Sequence, residues 1–301
     1  MKKRFSIRSA VFCLLLFTVI PTIVSCNSFR NTEYAVVSEG NISADGFIYD
    51  KYENSTVKIT GMENVPSILT VPAEIDGMPV VEIADSTFEG SETLMYIKLP
   101  DGNIKLGKRV FSGCVSLITA DLSDSVTALP LGTFEDCINL TNVEGLKAVT
   151  EISDQAFAGC RSLTYIKMPT LATLGAESFR GCTSLADIVL PESLTFVGEL
   201  AFWGCNSLSK VTFGGSAEIP KYAFLDCAAL AEVIIGDSVE SINEEAFRGC
   251  RALYSVKIGK NVSMIHAYAF HACDSLTDIN FAGNKNNISI AEGNESLGLS
   301  N

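Results

Sequence analysis

A solenoid of short, stacked parallel β-strands is predicted by three features of this chain. A phenylalanine recurs nine times at intervals of 22 or 23 residues: Phe88, Phe111, Phe134, Phe157, Phe179, Phe202, Phe224, Phe247 and Phe270. The same apolar positions repeat in register around each of them. Within each repeat a period of 2, the strand period, is nested inside the long one. A fixed long period means that each unit is one supersecondary element, unable to bury its apolar edge alone, which stacks on its neighbours to share a core.

The first 26 residues carry a different signal. Lys2, Lys3, Arg4 and Arg8 make a basic start, and an apolar run follows from Ala10 to about Val24, interrupted by Pro21. That run is short for a membrane span and reads as an export signal that is removed. Its end, Ile23-Val24-Ser25-Cys26, resembles a bacterial lipobox. The resemblance implies a lipoprotein-type signal peptide over 1–25, with Cys26 acylated as the first residue of the mature protein. An ordinary signal peptide with an incidental Cys26 is the alternative. Residues 26–46 are polar and aperiodic, and are expected to be the lipid-anchor tether. Residues 47–83 are expected to be an N-terminal cap and first half-repeat, with a hairpin from Phe47-Ile48-Tyr49 to Val57-Lys58-Ile59.

The solenoid is expected over 84–281, as about nine coils. Each has an apolar residue five before its phenylalanine, such as Ile152, Leu174 or Ile242, and a small or β-branched residue just before it. Leu follows six after, from Leu94 to Leu276, and an alternating stretch such as Ile166-Lys167-Met168 comes next. Two short extended segments per coil are predicted, with parallel strands from successive coils about 4.8 Å apart. The segment around each phenylalanine is too short for a helix and should be a turn or single helical turn. The architecture is therefore mostly β and irregular. Residues 282–301 form a polar C-terminal tail in which Ile288 and Ile290 supply a last strand.

The period falls in the range of leucine-rich repeats. The unit Ile-x-x-x-Ala-Phe-x-x-Cys-x-x-Leu-x-x-Val-x-Ile, clearest from Ile242 to Ile258, resembles the BspA-like, or treponemal-type, leucine-rich repeat over about residues 59–281. The commoner repeats place an Asn after the strand, and none stands there after Leu99 or Leu190. What the resemblance implies is a bacterial surface or periplasmic binding protein, often one that adheres to matrix proteins or to other cells.

Three residues after the phenylalanine stands a cysteine in eight of nine repeats: Cys114, Cys137, Cys160, Cys182, Cys205, Cys227, Cys250 and Cys273, with Ser91 in the remaining slot. In an exported chain such a count suggests disulfides. Stacked at one repeat position, however, their β-carbon vectors run parallel, which holds the β-carbons at the coil spacing rather than at the closer distance a disulfide requires. A ladder of buried, reduced thiols is expected, since free Cys is among the most readily buried side chains. No cysteine or histidine spacing suits zinc.

Formal net charge is −13. Removing the four basic residues of the leader from 22 leaves 18 against 35 acidic ones, a net −17. Such a chain is not expected to bind nucleic acid through its overall field. His266 and His271 are the only histidines, and no phosphate loop, zinc-protease motif or nucleophile elbow is present, so neither an enzyme nor a cofactor is expected.

The informative surface is the outward face of the strands, two and four residues after each repeat leucine. It includes two Tyr-x-Lys coils, Tyr96/Lys98 and Tyr165/Lys167. Tyr suits interfaces because it joins apolar area to a hydrogen-bonding tip. Trp203, just after Phe202, is the other candidate and belongs to the turn side. The sequence thus points to a lipid-anchored protein of the bacterial cell envelope, at the outer membrane or cell surface. It would bind a matrix or cell-surface protein. A glycan- or nutrient-binding lipoprotein and a structural envelope protein are the alternatives. The membrane is met through the lipid anchor only.

Overall fold

The computed structural model describes residues 34–216 and 218–297. The expected signal peptide and Cys26 lie outside the described residues. From Tyr96 onward the chain winds as a solenoid with nearly no helix, and each coil contributes two extended segments and one turn.

The first segments form a ladder of parallel strands. Ile68–Thr70, Tyr96–Lys98, Thr119–Asp121 and Asn142–Glu144 pair in that order, and a second group runs Asp187–Val189, Lys210–Phe213, Glu232–Ile235, Ser255–Ile258 and Asp278–Phe281. Register is strictly repeat-matched, as in Tyr96↔Thr119 and Lys210↔Glu232. The alternating residues Ile97, Ala120, Val143, Ile188, Val211, Val233 and Val256 point inward and are buried. The second, two-residue segments carry the apolar position five before each phenylalanine. Pairs such as Glu151–Ile152 with Thr173–Leu174, and Ser241–Ile242 with Met264–Ile265, form the other side of the coil.

The third side is the phenylalanine turn. The residue two before each phenylalanine has positive φ, from Ser86 to Tyr268, and so does the residue two after it, from Gly90 to Ala272. This alternation aims every second amide along the solenoid axis. Phe134 N, for example, donates to Ala156 O at 2.8 Å in the next coil. The nine rings stack face to face, with centroids 5.1–5.7 Å apart and interplanar angles of 2–18°. Coil spacing is thus matched to offset aromatic stacking. Burial of each ring contributes about 3–5 kcal/mol on the scale of Phe-to-Ala truncations.

The eight repeat cysteines are free and buried. Each thiol donates to the carbonyl of the phenylalanine one coil back, from Cys114 Sγ to Phe88 O at 3.1 Å through to Cys273 Sγ to Phe247 O at 3.2 Å. The same carbonyls accept the amide of the cysteine in their own coil, as in Cys137 N to Phe134 O at 3.1 Å. Ser91 stands in the first repeat, where no preceding phenylalanine carbonyl waits for a thiol.

The ends are closed by irregular chain. β1 (Val36–Ile42) pairs antiparallel with β2 (Phe47–Tyr52), which pairs antiparallel with β3 (Val57–Met62). β1 falls within the stretch expected to be tether. Its alternation is spoiled by two register irregularities, so no strand period is visible there. At the other end, Ser289–Ile290 adds a last strand beside Met264–Ile265. The stretch read as a polar tail then continues as part of a further coil. Asn294 is buried, its Oδ1 accepts Phe270 N at 3.0 Å, and its Nδ2 donates to His266 O and Ala291 O at 2.9 Å each. A side-chain oxygen thereby takes the place of the backbone carbonyl that accepts this amide in the other coils, as Ala269 O does for Phe247 N.

The thiol ladder predicts a steep alkaline collapse. Burial pushes seven thiols, Cys137 to Cys273, above their ordinary value, Cys273 to about 12. Protonated thiols are therefore favoured in the folded state. Stability is fully retained below the unfolded thiol pKa of about 8.5–9, and falls by about 1.4 kcal/mol per pH unit for each protected thiol as pH rises beyond it. The urea midpoint should be flat from roughly pH 6 to 8 and drop sharply above about pH 9. Cys160→Ala should make that drop shallower, and an unchanged slope in the variant would refute the assignment.

Candidate functional site

Among the described residues, the ladder of first segments is broken once. No strand pairing and no backbone hydrogen bond links residues 141–145 to residues 164–168 among the described residues, and Tyr165 keeps only an isolated bridge to Asp187 on its far side. Above the break, Ser162 N donates to Ile138 O at 3.2 Å. Below it, the Thr170 hydroxyl bonds Lys147 O at 2.8 Å and Val149 O at 3.0 Å. On the opposite side of the coils, Phe134 and Phe157 remain stacked at 5.4 Å and Glu151–Ile152 remains paired with Thr173–Leu174. The coils therefore separate on one side only, over about one strand length.

The cause is Gly145. Other coils put an apolar residue at this inward position: Leu99, Leu122, Met168, Leu190, Phe213, Ile235 and Ile258. Gly145 has φ +81°, and a β-carbon there would lie 1.6 Å from Leu122 O. The chain turns out of the strand at this point, and Leu146 fills the core one residue late. Gly145 N and Thr141 O, which the repeat pattern would pair with the next coil, are left facing the gap.

The gap opens into a groove of ≈ 720 Å³ lined by Asp101, Asp121, Asp124, Asn142, Glu144, Lys147, Tyr165 and Lys167, over a floor of Leu122, Val143, Leu146, Ile166 and Pro169. Its charges are partly matched across coils. Lys98 Nζ meets Asp121 Oδ2 at 2.6 Å, and Lys147 Nζ meets Asp124 Oδ2 at 2.8 Å. Hydrogen bonding to these carboxylates raises the pKa of both lysines. Asn142 Nδ2 donates to Glu144 Oε1 at 3.0 Å. Among the described residues no ion pair holds Asp101, Glu144 or Lys167.

The two Tyr-x-Lys coils are consequently unlike. Tyr96 is half-buried, with its hydroxyl 3.4 Å from Asp121 Oδ2, and Lys98 is spent on that carboxylate. Tyr165 is 54% exposed, and with Lys167 it lines the groove. Trp203, 39% exposed, sits on the phenylalanine-turn side in a shallow recess with Arg180, Asn206 and Asp226. The structure brings Tyr165 and Lys167 together with carboxylates that the repeat analysis did not single out, Asp101, Asp124 and Glu144. A glycine at an inward strand position was the available signal for the break, since it supplies no side chain to pack and marks a bulge.

The sequence pattern of the family described as BspA type Leucine rich repeat region matches in six copies, over residues 74–186 and 172–292. No curated protein matches the chain. Among solved structures, a leucine rich cell surface protein from Faecalibacterium prausnitzii is 22% identical, with 84% of this chain and 96% of that one covered and a TM-score of 0.49. A T. pallidum leucine rich repeat protein is 27% identical, covering 80% and 92%, at 0.48. A leucine-rich repeat protein from Bacteroides ovatus is 24% identical, covering 84% and 90%, at 0.41.

Gly145→Ala should destabilise the protein by at least about 2 kcal/mol, because the new β-carbon would collide with Leu122 O and the residue would be held at positive φ. Gly181→Ala, also at positive φ but with open space around it, should cost less. Chemical denaturation of both variants measures the difference, and equal losses would show that Gly145 is not held by the adjacent coil.

Proposed function

Because the chain belongs to the BspA type leucine-rich-repeat family, we propose that it is a lipid-anchored binding protein of the bacterial cell envelope that holds a protein ligand on the outward strand face of its solenoid. Ligand binding or adhesion is the general role such repeats suggest, and the Faecalibacterium relative is named a cell surface protein. One observation carries the finer reading. An otherwise continuous, hydrogen-bonded ladder is interrupted at a single groove lined by the exposed Tyr165. A rigid scaffold loses little entropy on binding, and an exposed tyrosine beside an apolar floor is the kind of residue that anchors interfaces. Tyr96 and Lys98 flank this centre on the same face. Lys167 tunes encounter rate and salt dependence. Cys26 carries the lipid, after removal of residues 1–25.

A binding screen of the purified protein against matrix proteins, with a glycan array beside it, tests the reading. For a protein ligand so found, Tyr165→Ala should weaken binding by about 2 kcal/mol or more, with Tyr96→Ala costing less and the thermal midpoint unchanged for both. Loss on Trp203→Ala with Tyr165→Ala silent would move the working surface to the turn side. A glycan hit without a protein hit would favour the nutrient-binding alternative.

The anchor is tested separately. Expressed in a host with the lipoprotein pathway, the wild type should take up a fatty-acid analogue and partition into detergent, and Cys26→Ser should do neither. An unlabelled wild type would overturn the anchor.

A further inference from the structure

We propose that the groove at the ladder break accepts an extended peptide segment bearing lysine or arginine, which adds as a strand to the unpaired edge of Asn142–Glu144. This rests on the reading of the protein as a binder of protein ligands, and names what the groove recognises.

In a parallel ladder each inner strand exchanges amide and carbonyl bonds with both neighbours. Asn142–Glu144 makes them on one side only, to Thr119–Asp121, in unbroken register. Thr141 O and Gly145 N also lack the partners that equivalent positions find elsewhere. Leu99 N bonds Asp121 O at 2.9 Å and Leu122 N bonds Glu144 O at 3.0 Å, but Gly145 N has no counterpart in Lys167 O. Open edges of this kind are what strand addition uses, with main-chain bonds supplying affinity and flanking side chains specificity. The edge at the solenoid start is different. β1 carries two register irregularities, a device that discourages pairing.

Four carboxylates and two lysines line the groove. Lys147 is held by Asp124, and Asp121 is held by Lys98 from outside the groove. Asp101 and Glu144 remain, against Lys167 alone. On an added strand, the outward residue beside Glu144 would lie about 5 Å away, where an opposite charge stabilises the pair. Lys167 stands on the opposing coil, so a segment with basic residues toward Glu144 and neutral or acidic ones toward Lys167 fits. The surrounding chain, at −13, draws such a segment in. The volume of ≈ 720 Å³ lies within the range of about 300–1,000 Å³ typical of ligand clefts. Tyr165 offers a single aromatic face, whereas open main-chain groups line the length of the slot. That balance favours a peptide over a sugar chain.

The probe is a fluorescein-labelled ten-residue peptide of alternating Lys and Thr, followed by anisotropy with the full-length protein. Two controls are N-methylated on alternate residues, one for each frame, and a third replaces Lys by Glu. The Lys-Thr peptide should bind, with at least one methylated frame and the Glu peptide each weaker by about tenfold or more. The double variant Asp101→Asn/Glu144→Gln should lose about tenfold with an unchanged thermal midpoint. Equal binding by both methylated peptides, binding untouched in the double variant, or no binding of the Lys-Thr peptide would each overturn the proposal. So would an oligosaccharide that displaces nothing but is itself lost on Tyr165→Ala. A protein ligand that needs Tyr165 but does not compete with the Lys-Thr peptide would sink this inference and leave the proposed function standing. Peptide binding in the slot with no protein ligand in the screen would do the reverse.

Discussion

Everything in this solenoid hangs on the carbonyl oxygen of the repeat phenylalanine. It lies in a dry core, and it has two lone pairs to satisfy. One takes the amide of the cysteine three residues on, which closes the turn within the coil. The other takes the thiol of the cysteine in the next coil, which ties the two coils together. Both bonds require the positive-φ positions on either side of the phenylalanine, and those positions fix the ring where it can stack on the rings above and below. Cysteine suits the position because it is small, readily buried and supplies one weak donor to a carbonyl that already has a partner. A serine there would bring a more strongly hydrated hydroxyl into the same dry line.

This explains how much of the molecule could be read from its sequence. The coil spacing forces equivalent residues onto one line, so any requirement of the core repeats every 22 or 23 residues and becomes visible as periodicity. The strand positions, the stacked rings and the free thiol line were legible for that reason. What the thiols do was not, because a hydrogen bond to the preceding coil leaves no trace in spacing. β1 was not legible either. It is an edge strand, largely exposed, whose register shifts erase the alternation that a strand normally shows.

The groove was missed for a related reason. Only what recurs shows as periodicity, and the break at Gly145 is a departure from recurrence. Tyr165 and Lys167 stood out as an outward Tyr-x-Lys pair, indistinguishable from Tyr96 and Lys98 by type. Only the three-dimensional register separates them. Asp121, 23 residues after Lys98, lies directly beside it in the ladder and neutralises it, whereas the corresponding neighbour of Lys167 is Val189. A pair that looks duplicated in sequence is thus one engaged pair and one free pair.

The same cross-coil matching shapes the field of the whole described region. Of its ten ion pairs, seven join side chains on neighbouring coils, including Lys147 with Asp124, Lys210 with Glu232, Lys221 with Glu244 and Lys260 with Asp237. Most are exposed on both sides and stabilise the fold by little. Their larger consequence is that Lys98, Arg109, Lys147, Lys210, Lys221 and Lys260 are engaged between coils, while carboxylates such as Asp101 and Glu144 face outward without an ion-pair partner among the described residues. At the break between the coils of Glu144 and Lys167, part of the acidic excess coincides with open backbone groups. Closing the gap would restore two or three ladder bonds. Keeping it open exposes main-chain donors and acceptors that an incoming strand can satisfy as well as the missing coil would have done.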